Sequence, residues 1–152
     1  MTSPSPLPPP KPLPEELAVL LRTLQVQVLD TPELRDRAQA LLVADHYLGG
    51  VQAVGEQLHY AVTDAQGDWV AVLIFAAAAW HLRLRDRWIG WSDEQRRRRL
   101  ALVANNVRFL LLPDRTVPNL GSAVLSRVLA RLSDDRQARY DHPVLVVETF
   151  VD

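Results

Sequence analysis

The chain has 152 residues, of which 48% are hydrophobic and 23% are charged, with a formal net charge of −1 at pH 7 and no cysteine. This length and composition fit one soluble domain with a substantial core and exclude a wholly disordered chain, while the balanced charge excludes a global electrostatic attraction to nucleic acid. Without cysteine there is no disulfide, thiolate nucleophile or cysteine-ligated zinc, and the longest apolar run is shorter than the ~20 residues that span a bilayer, so we expect a cytoplasmic protein without membrane contact.

The N-terminal segment is dominated by proline. Seven of the eleven prolines fall within the first 14 residues. Because proline fixes φ and removes an amide donor, residues 1–13 are expected to form a disordered, extended tail, with residues 14–152 as a single domain. The run from Pro8 to Pro12 also has the composition of a polyproline ligand, but a plain solvated tail is the simpler interpretation.

Two helices are predicted at the start of the domain. Pro14 fits the first turn of a helix whose apolar residues repeat at helical spacing as far as Val28. Thr31-Pro32-Glu33 marks the start of a second helix in the same way, and Gly49-Gly50 follows its end. We expect these two helices to pack against each other as a pair.

Strands and helices alternate in the rest of the chain. Residues 58–62 and 69–75 are strand-like runs joined by a hairpin turn, and the second run is apolar on both faces, which predicts a central strand covered by helices on both sides. A capping-box pattern at Ser92 predicts a helix over residues 92–104, and Asn119 as a cap predicts another helix over residues 119–132. Strands are predicted after each of them, at residues 108–112 and 144–151. The order α-α-β-β-α-β-α-β predicts an α/β or α+β domain with a mixed sheet.

The densest functional signal is a run of arginine and tryptophan in the middle of the chain. Arg83, Arg85 and Arg87 alternate along a segment that we interpret as extended, so all three would point the same way, and Trp88 and Trp91 follow at once. Arginine with aromatic residues is typical of sites that hold phosphates and stack bases. A structural alternative is that Asp86 and the arginines form salt bridges while the tryptophans pack in the core.

Glu148 is the candidate catalytic residue. It lies among apolar neighbours in the last predicted strand, where burial would raise its pKa and suit it to act as a general base. The structural alternative is an ion pair with an arginine on a neighbouring strand, such as Arg108. A divalent metal held by Glu148, Asp86 and Asp152 has no support from spacing, and the histidines show no metal-ligand pattern, so no metal is expected.

Four motifs resemble the DruA family of Druantia anti-phage systems, some of whose relatives accompany transposases. They are RDRWIGW, NNVRFLLLP, VPNLGSAVL and HPVLVVETFVD, which begin at Arg85, Asn105, Val117 and His142. The resemblance implies a role in phage defence or mobile elements, with nucleic acid and other defence-system or transposon proteins as partners. As members of that family continue past ETFVD, it also implies that the fold lacks its C-terminal part here.

The order of elements is also similar to the core of GNAT acyltransferases. That likeness implies an acetyl-CoA site in which residues 108–112 would line the pantetheine, and the start of the following helix, at Asn119, Gly121 and Ser122, would hold the phosphates. The loop that precedes this helix departs from the GNAT pattern, since it carries Arg115 but few glycines.

Three functions therefore remain open. The first is handling of nucleic acid or nucleotide phosphate, through six residues of the basic aromatic region: Arg83, Arg85, Arg87, Trp88, Trp91 and Arg108. The second is a GNAT-like acyltransferase that uses acetyl-CoA, with Glu148 as general base. The third is an inactive, truncated remnant of the family.

Overall fold

The computed structural model describes residues 14–150, and it is an α+β fold with a five-stranded mixed sheet. The predicted tail at residues 1–13 and the last two residues lie outside the described part. The elements in chain order are α1 (Glu15–Thr23), β1 (Gln25–Val28), α2 (Pro32–Asp45), β2 (Gln57–Thr63), β3 (Trp69–Ala77), α3 (Arg83–Ile89), α4 (Asp93–Arg99), β4 (Val103–Leu111), α5 (Leu120–Tyr140) and β5 (Val146–Thr149). Within the described residues, no helix is both long and apolar enough to cross a membrane.

The sheet follows the chain order β1-β2-β3-β4-β5. The first three pairings are antiparallel, whereas β4 and β5 are parallel and are connected through α5. One face is covered by α5, which buries Val124, Val128 and Leu132, and the other by α2, which buries Ala38 and Leu42. The central strand β3 is buried on both faces over eight of its nine residues, which confirms the prediction made from its apolar run.

The predicted first helix is too long. Helix α1 ends at Thr23, and Gln25–Val28 is instead the edge strand β1, paired with β2 from Gln25↔Thr63 to Val28↔Tyr60. The segment alternates between exposed and half-buried residues, and β-branched valines at every second position suit a strand. The two N-terminal helices are therefore separated by a strand and are not one paired unit.

Two further boundaries differ from the prediction. Residues 83–89, expected to be extended, form helix α3, which ends at Gly90 in a left-handed conformation with φ of 77°. Helix α4 starts at the predicted capping box, where Ser92 Oγ accepts from Gln95 N at 3.2 Å, but it ends at Arg99. After one 3-10 turn the chain enters β4 at Val103, so Asn105 and Asn106 belong to the strand and do not end the helix.

Candidate functional site

The main cavity of the fold opens where β4 and β5 separate. β5 pairs only with Val103–Asn106 of β4, and the β3–β4 register shifts at the same point, leaving Val107 as a bulge between Asn106 and Arg108. Asn106 Nδ2 supports the bulge by donating to Ile74 O at 3.2 Å and to Arg108 O at 2.9 Å. Such bulges bend a strand and end its pairing. The result is a largely apolar cavity of about 470 Å³, the β4–β5 notch.

Three parts of the chain form the walls of the β4–β5 notch. They are the bulged part of β4 with the end of β5, the outer side of α5 at Leu125 and Leu129, and the loop His46–Leu48 after α2. Arg108 ties that loop to the sheet, since its guanidinium donates to Gly49 O at 3.0 Å and to Gly50 O at 2.9 Å. The position of the loop could not be predicted from the sequence, because it depends on a hydrogen bond between Arg108 and Gly50, which are 58 residues apart.

Glu148 lies on the wall of the notch with its side chain only 10% exposed. Both carboxylate oxygens are 3.3 Å from Arg85 Nη1. Burial raises the pKa of Glu148 above its ordinary value, and the attraction of Arg85 opposes that shift. The ion pair considered as an alternative is therefore present, but its partner is Arg85, since Arg108 is bonded to backbone carbonyls. A role as general base stays a prediction.

Arg85 is the centre of a buried charged network behind the notch, the Arg85 cluster. Its side chain is 5% exposed, and its Nε donates to Asp86 Oδ1 at 2.8 Å while Nη2 donates to Ala79 O. Asp86 also accepts from Trp91 Nε1 at 3.0 Å and lies 3.5 Å from Arg96 Nη1. The cluster satisfies its buried charges internally, so it fixes α3 and the segment that follows it against β5.

The predicted phosphate-binding residues are thereby divided into two sets. Arg85, Trp91 and Arg108 are held by internal hydrogen bonds. Arg83, Arg87 and Trp88 are exposed on the outer side of α3, and Trp88 is 79% exposed. The expectation that the three arginines point the same way is wrong, because in a helix alternate residues lie about 200° apart.

The start of α5 does not line the β4–β5 notch. Asn119 is the N-cap residue of α5, as predicted, but its backbone is left-handed, with φ of 65°, and its side chain makes no capping hydrogen bond. Gly121 packs against the end of β4, where an added Cβ would lie 3.5 Å from Leu111 Cδ1. A cofactor role for Asn119, Gly121 and Ser122 stays a prediction, and none of the three is among the residues around the notch.

No group of three histidine or carboxylate side chains in residues 14–150 is placed to hold a metal ion. Asp86 and Glu148 do come together, but each contacts Arg85, which supplies the compensating positive charge. Asp152, the third carboxylate considered from the sequence, lies outside the described residues.

Residues 16–152 match the protein family described as Druantia protein DruA. The chain belongs to the DruA family. This confirms the resemblance drawn from the four motifs and links the chain to Druantia defence systems. A search of curated proteins found no match.

The DruA motifs and the Arg85 cluster coincide. RDRWIGW supplies Arg85, Asp86 and Trp91, and the last motif supplies Glu148. In this DruA-family chain, two motifs that are far apart in sequence therefore meet in one buried network at the edge of the notch. Two other residues of RDRWIGW, Arg87 and Trp88, face outward.

Arg115, in the loop before α5, forms a salt bridge with Asp64 in the β2–β3 turn. The hydrogen bond from Arg115 lowers the pKa of Asp64, against the effect of burial. A carboxyl whose pKa is lower in the folded than in the unfolded chain stabilises the fold at pH values above its unfolded-state pKa, about 3.9 for aspartate. This stabilisation is lost as the pH falls through the pKa of the folded state. We therefore expect Asp64→Asn to lower stability at pH 7 and to flatten the loss of stability below about pH 4. Thermal denaturation from pH 2 to 7 measures both effects. A variant whose melting temperature depends on pH as that of the parent does would contradict them.

Proposed function

We propose that this DruA-family domain binds nucleic acid through the exposed side of α3, as part of a role in phage defence or mobile elements. The supporting observation is that Trp88, 79% exposed, lies on a short helix beside two exposed arginines, Arg83 and Arg87. Leu84 on the same helix is also exposed, and adjacent exposed apolar side chains, more than single ones, are typical of interaction surfaces. Bases stack on such side chains at about 1–3 kcal/mol each.

The helical geometry of α3 favours this use. Arg83 and Arg87 are four residues apart and therefore lie on one side of the helix, as do Leu84 and Trp88, and the two pairs are adjacent. Leu84 is 77% exposed, so the apolar side is also open. We call these four residues the α3 surface. Two guanidinium groups beside a stacking platform match a phosphate backbone with an unstacked base.

The charges of the α3 surface are not neutralised by the protein. Within residues 14–150, neither Arg83 nor Arg87 has a carboxylate within 4.0 Å, whereas Arg85, on the inner side of the same helix, contacts two. The inner arginine thus holds the helix in position and leaves the outer two available. This division explains why the segment contains more arginine than the fold needs.

Binding of fluorescently labelled single-stranded and duplex DNA, followed by anisotropy at increasing salt, tests the proposal. We expect affinity that falls with salt, because phosphate contacts release counterions. Trp88→Ala should weaken binding by about 5- to 150-fold, equivalent to 1–3 kcal/mol, and Arg87→Ala should reduce the salt slope by about one.

Arg22→Ala is the matched control, since it removes the same charge from an exposed helix next to the opposite edge strand. It should leave DNA affinity nearly unchanged. Absence of binding even at low salt, or equal weakening by Arg22→Ala, would remove the proposal.

A GNAT-like acyltransferase is the second candidate, and the β4–β5 notch favours it. The parallel pairing stops after Asn106 and leaves an open cavity beside Glu148, lined by Arg108 and Phe109 of the segment expected to hold the pantetheine, although the start of α5 does not reach it. If acetyl-CoA binds there, it should raise the melting temperature, and Glu148→Gln should abolish turnover while the rise persists. A chain that binds neither DNA nor acetyl-CoA would instead fit the inactive-remnant alternative.

A further inference from the structure

A second, polar cavity lies at the β1–β2 edge of the sheet, whereas the notch lies at the β4–β5 edge. It has a volume of about 180 Å³ and lies between the first turn of α2, the start of β2 and the end of α5. Its polar lining comes from Arg35, Gln57, His59, Arg139 and Tyr140. We call it the Arg35–Arg139 pocket. Its volume is below the range of drug-sized ligand sites and suits a single small group.

The two arginines of this pocket lack negative partners. Within residues 14–150, no carboxylate lies within 4.0 Å of either guanidinium, although most other buried or half-buried arginines are paired. The side chain of Arg35 is half-buried and donates no hydrogen bond to a described residue, and Arg139 donates only through Nε, to Tyr140 Oη at 3.2 Å. Two like charges that share a cavity repel each other unless an anion lies between them.

His59 lines the same cavity and is sensitive to its charge. The amide of Gln57 is oriented by its Nε2, which donates to Ala53 O at 2.6 Å, so its Oε1 faces His59 Nε2 at 3.0 Å. His59 Nε2 must then carry the proton, and the buried Nδ1 is left as an acceptor without a hydrogen-bond donor among the described residues. Burial lowers the pKa of His59, and the charges of Arg35 and Arg139 lower it further.

We propose that the Arg35–Arg139 pocket binds a small oxyanion of the phosphate class, either free phosphate or the terminal phosphate of a nucleotide. Two planar guanidinium forks offer paired N–H donors to several oxygens at once, and a phosphate dianion matches their combined charge better than a single carboxylate does. The Gln57 and Tyr140 side chains also line the pocket, but their donors are used within the protein, at Ala53 O and Gln57 O, so the two guanidinium groups supply the donors for an anion. An anion held there would neutralise the repulsion between the arginines and would reverse the electrostatic effect of the pocket on His59.

Titration of inorganic phosphate into the full chain at low ionic strength, followed by NMR of the His59 imidazole, tests the site. We expect saturable shifts of the His59 resonances and a rise in the pKa of His59 with bound phosphate. Arg139→Ala, at an exposed position where folding is not at risk, should weaken phosphate binding at least tenfold, and adding Arg35→Ala should abolish it. Arg99→Ala, which removes an exposed arginine of α4, is the control and should bind as the parent does.

Two outcomes would overturn the proposal. One is absence of a saturable His59 shift at any phosphate concentration, and the other is equal weakening by Arg99→Ala and Arg139→Ala.

A nucleoside 5′-monophosphate compared with its unphosphorylated nucleoside identifies the source of the phosphate group. Tighter binding of the monophosphate than of inorganic phosphate assigns a nucleotide, equal binding assigns the free ion, and binding of the nucleoside alone at this site overturns the assignment to phosphate. The readout does not depend on the α3 surface, so it stands or falls separately from DNA binding.

Discussion

Arg85→Ala is expected to lower the free energy of unfolding by about 3–5 kcal/mol, the usual effect of removing one partner from a buried ion pair. The guanidinium neutralises two carboxylates, Asp86 and Glu148, whose side chains are 14% and 10% exposed, and it also donates to Ala79 O. Without it, two buried negative charges face each other behind the notch with only Arg96 in reach of one of them. Urea denaturation with linear extrapolation measures the loss.

Arg83→Ala is the matched control for this measurement. It lies half a turn away on the same helix and is exposed, so its effect should stay within about 0.5 kcal/mol. A double-mutant cycle of Arg85→Ala with Glu148→Gln should show a coupling energy of about 1 kcal/mol or more, because the two side chains are in contact. If Arg85→Ala were as mild as Arg83→Ala, the cluster would not be what holds α3.

The sheet could be predicted largely from local pattern. Residues 69–75 are apolar on both parities, and β3 is buried on both faces, because a central strand admits no polar side chain on either side. The Gln25–Val28 strand was missed because Val28 continues the helical spacing of the leucines before it, and only pairing with β2 decides between the two periods. The boundary of β4 was missed because asparagine is a poor strand residue, yet Asn106 is needed there to support the bulge.

The candidate site was harder to predict than the sheet, because it depends on contacts between distant parts of the chain. The sequence predicted a phosphate-binding role for arginine and tryptophan as one group, but it could not separate the buried Arg85 from the exposed Arg87. That separation depends on α3 being a helix and on Glu148 arriving from a strand 63 residues later. Gly90, which takes the left-handed conformation that ends α3, was the local signal that could have indicated a helix. The Arg35–Arg139 pocket gave no such signal, since its residues come from three distant segments.

Arg136 is a charged residue that conflicts with its surroundings. It lies on the buried side of α5 and is completely buried. Its Nη2 lies 3.0 Å from Glu56 Oε2, but the donor angle is poor, and none of the three guanidinium nitrogens makes a hydrogen bond to a described residue. Glu56 is one-third exposed and also accepts from His142 Nε2 at 2.7 Å, so it compensates the buried charge only in part.

Arg136→Met is therefore expected to raise the free energy of unfolding by about 1–3 kcal/mol, the usual cost of burying a polar group whose hydrogen bonds are not made. The thioether fills the space of the aliphatic part of arginine, whereas the guanidinium no longer has to be desolvated, and Glu56 keeps both His142 and partial access to water. Arg136→Ala is the control that separates charge from volume, because it removes the same charge but leaves a cavity and should destabilise. Chemical denaturation of the three proteins decides the matter: a Met variant less stable than the parent would mean that the Glu56–Arg136 pair is a net source of stability despite its poor hydrogen-bond geometry.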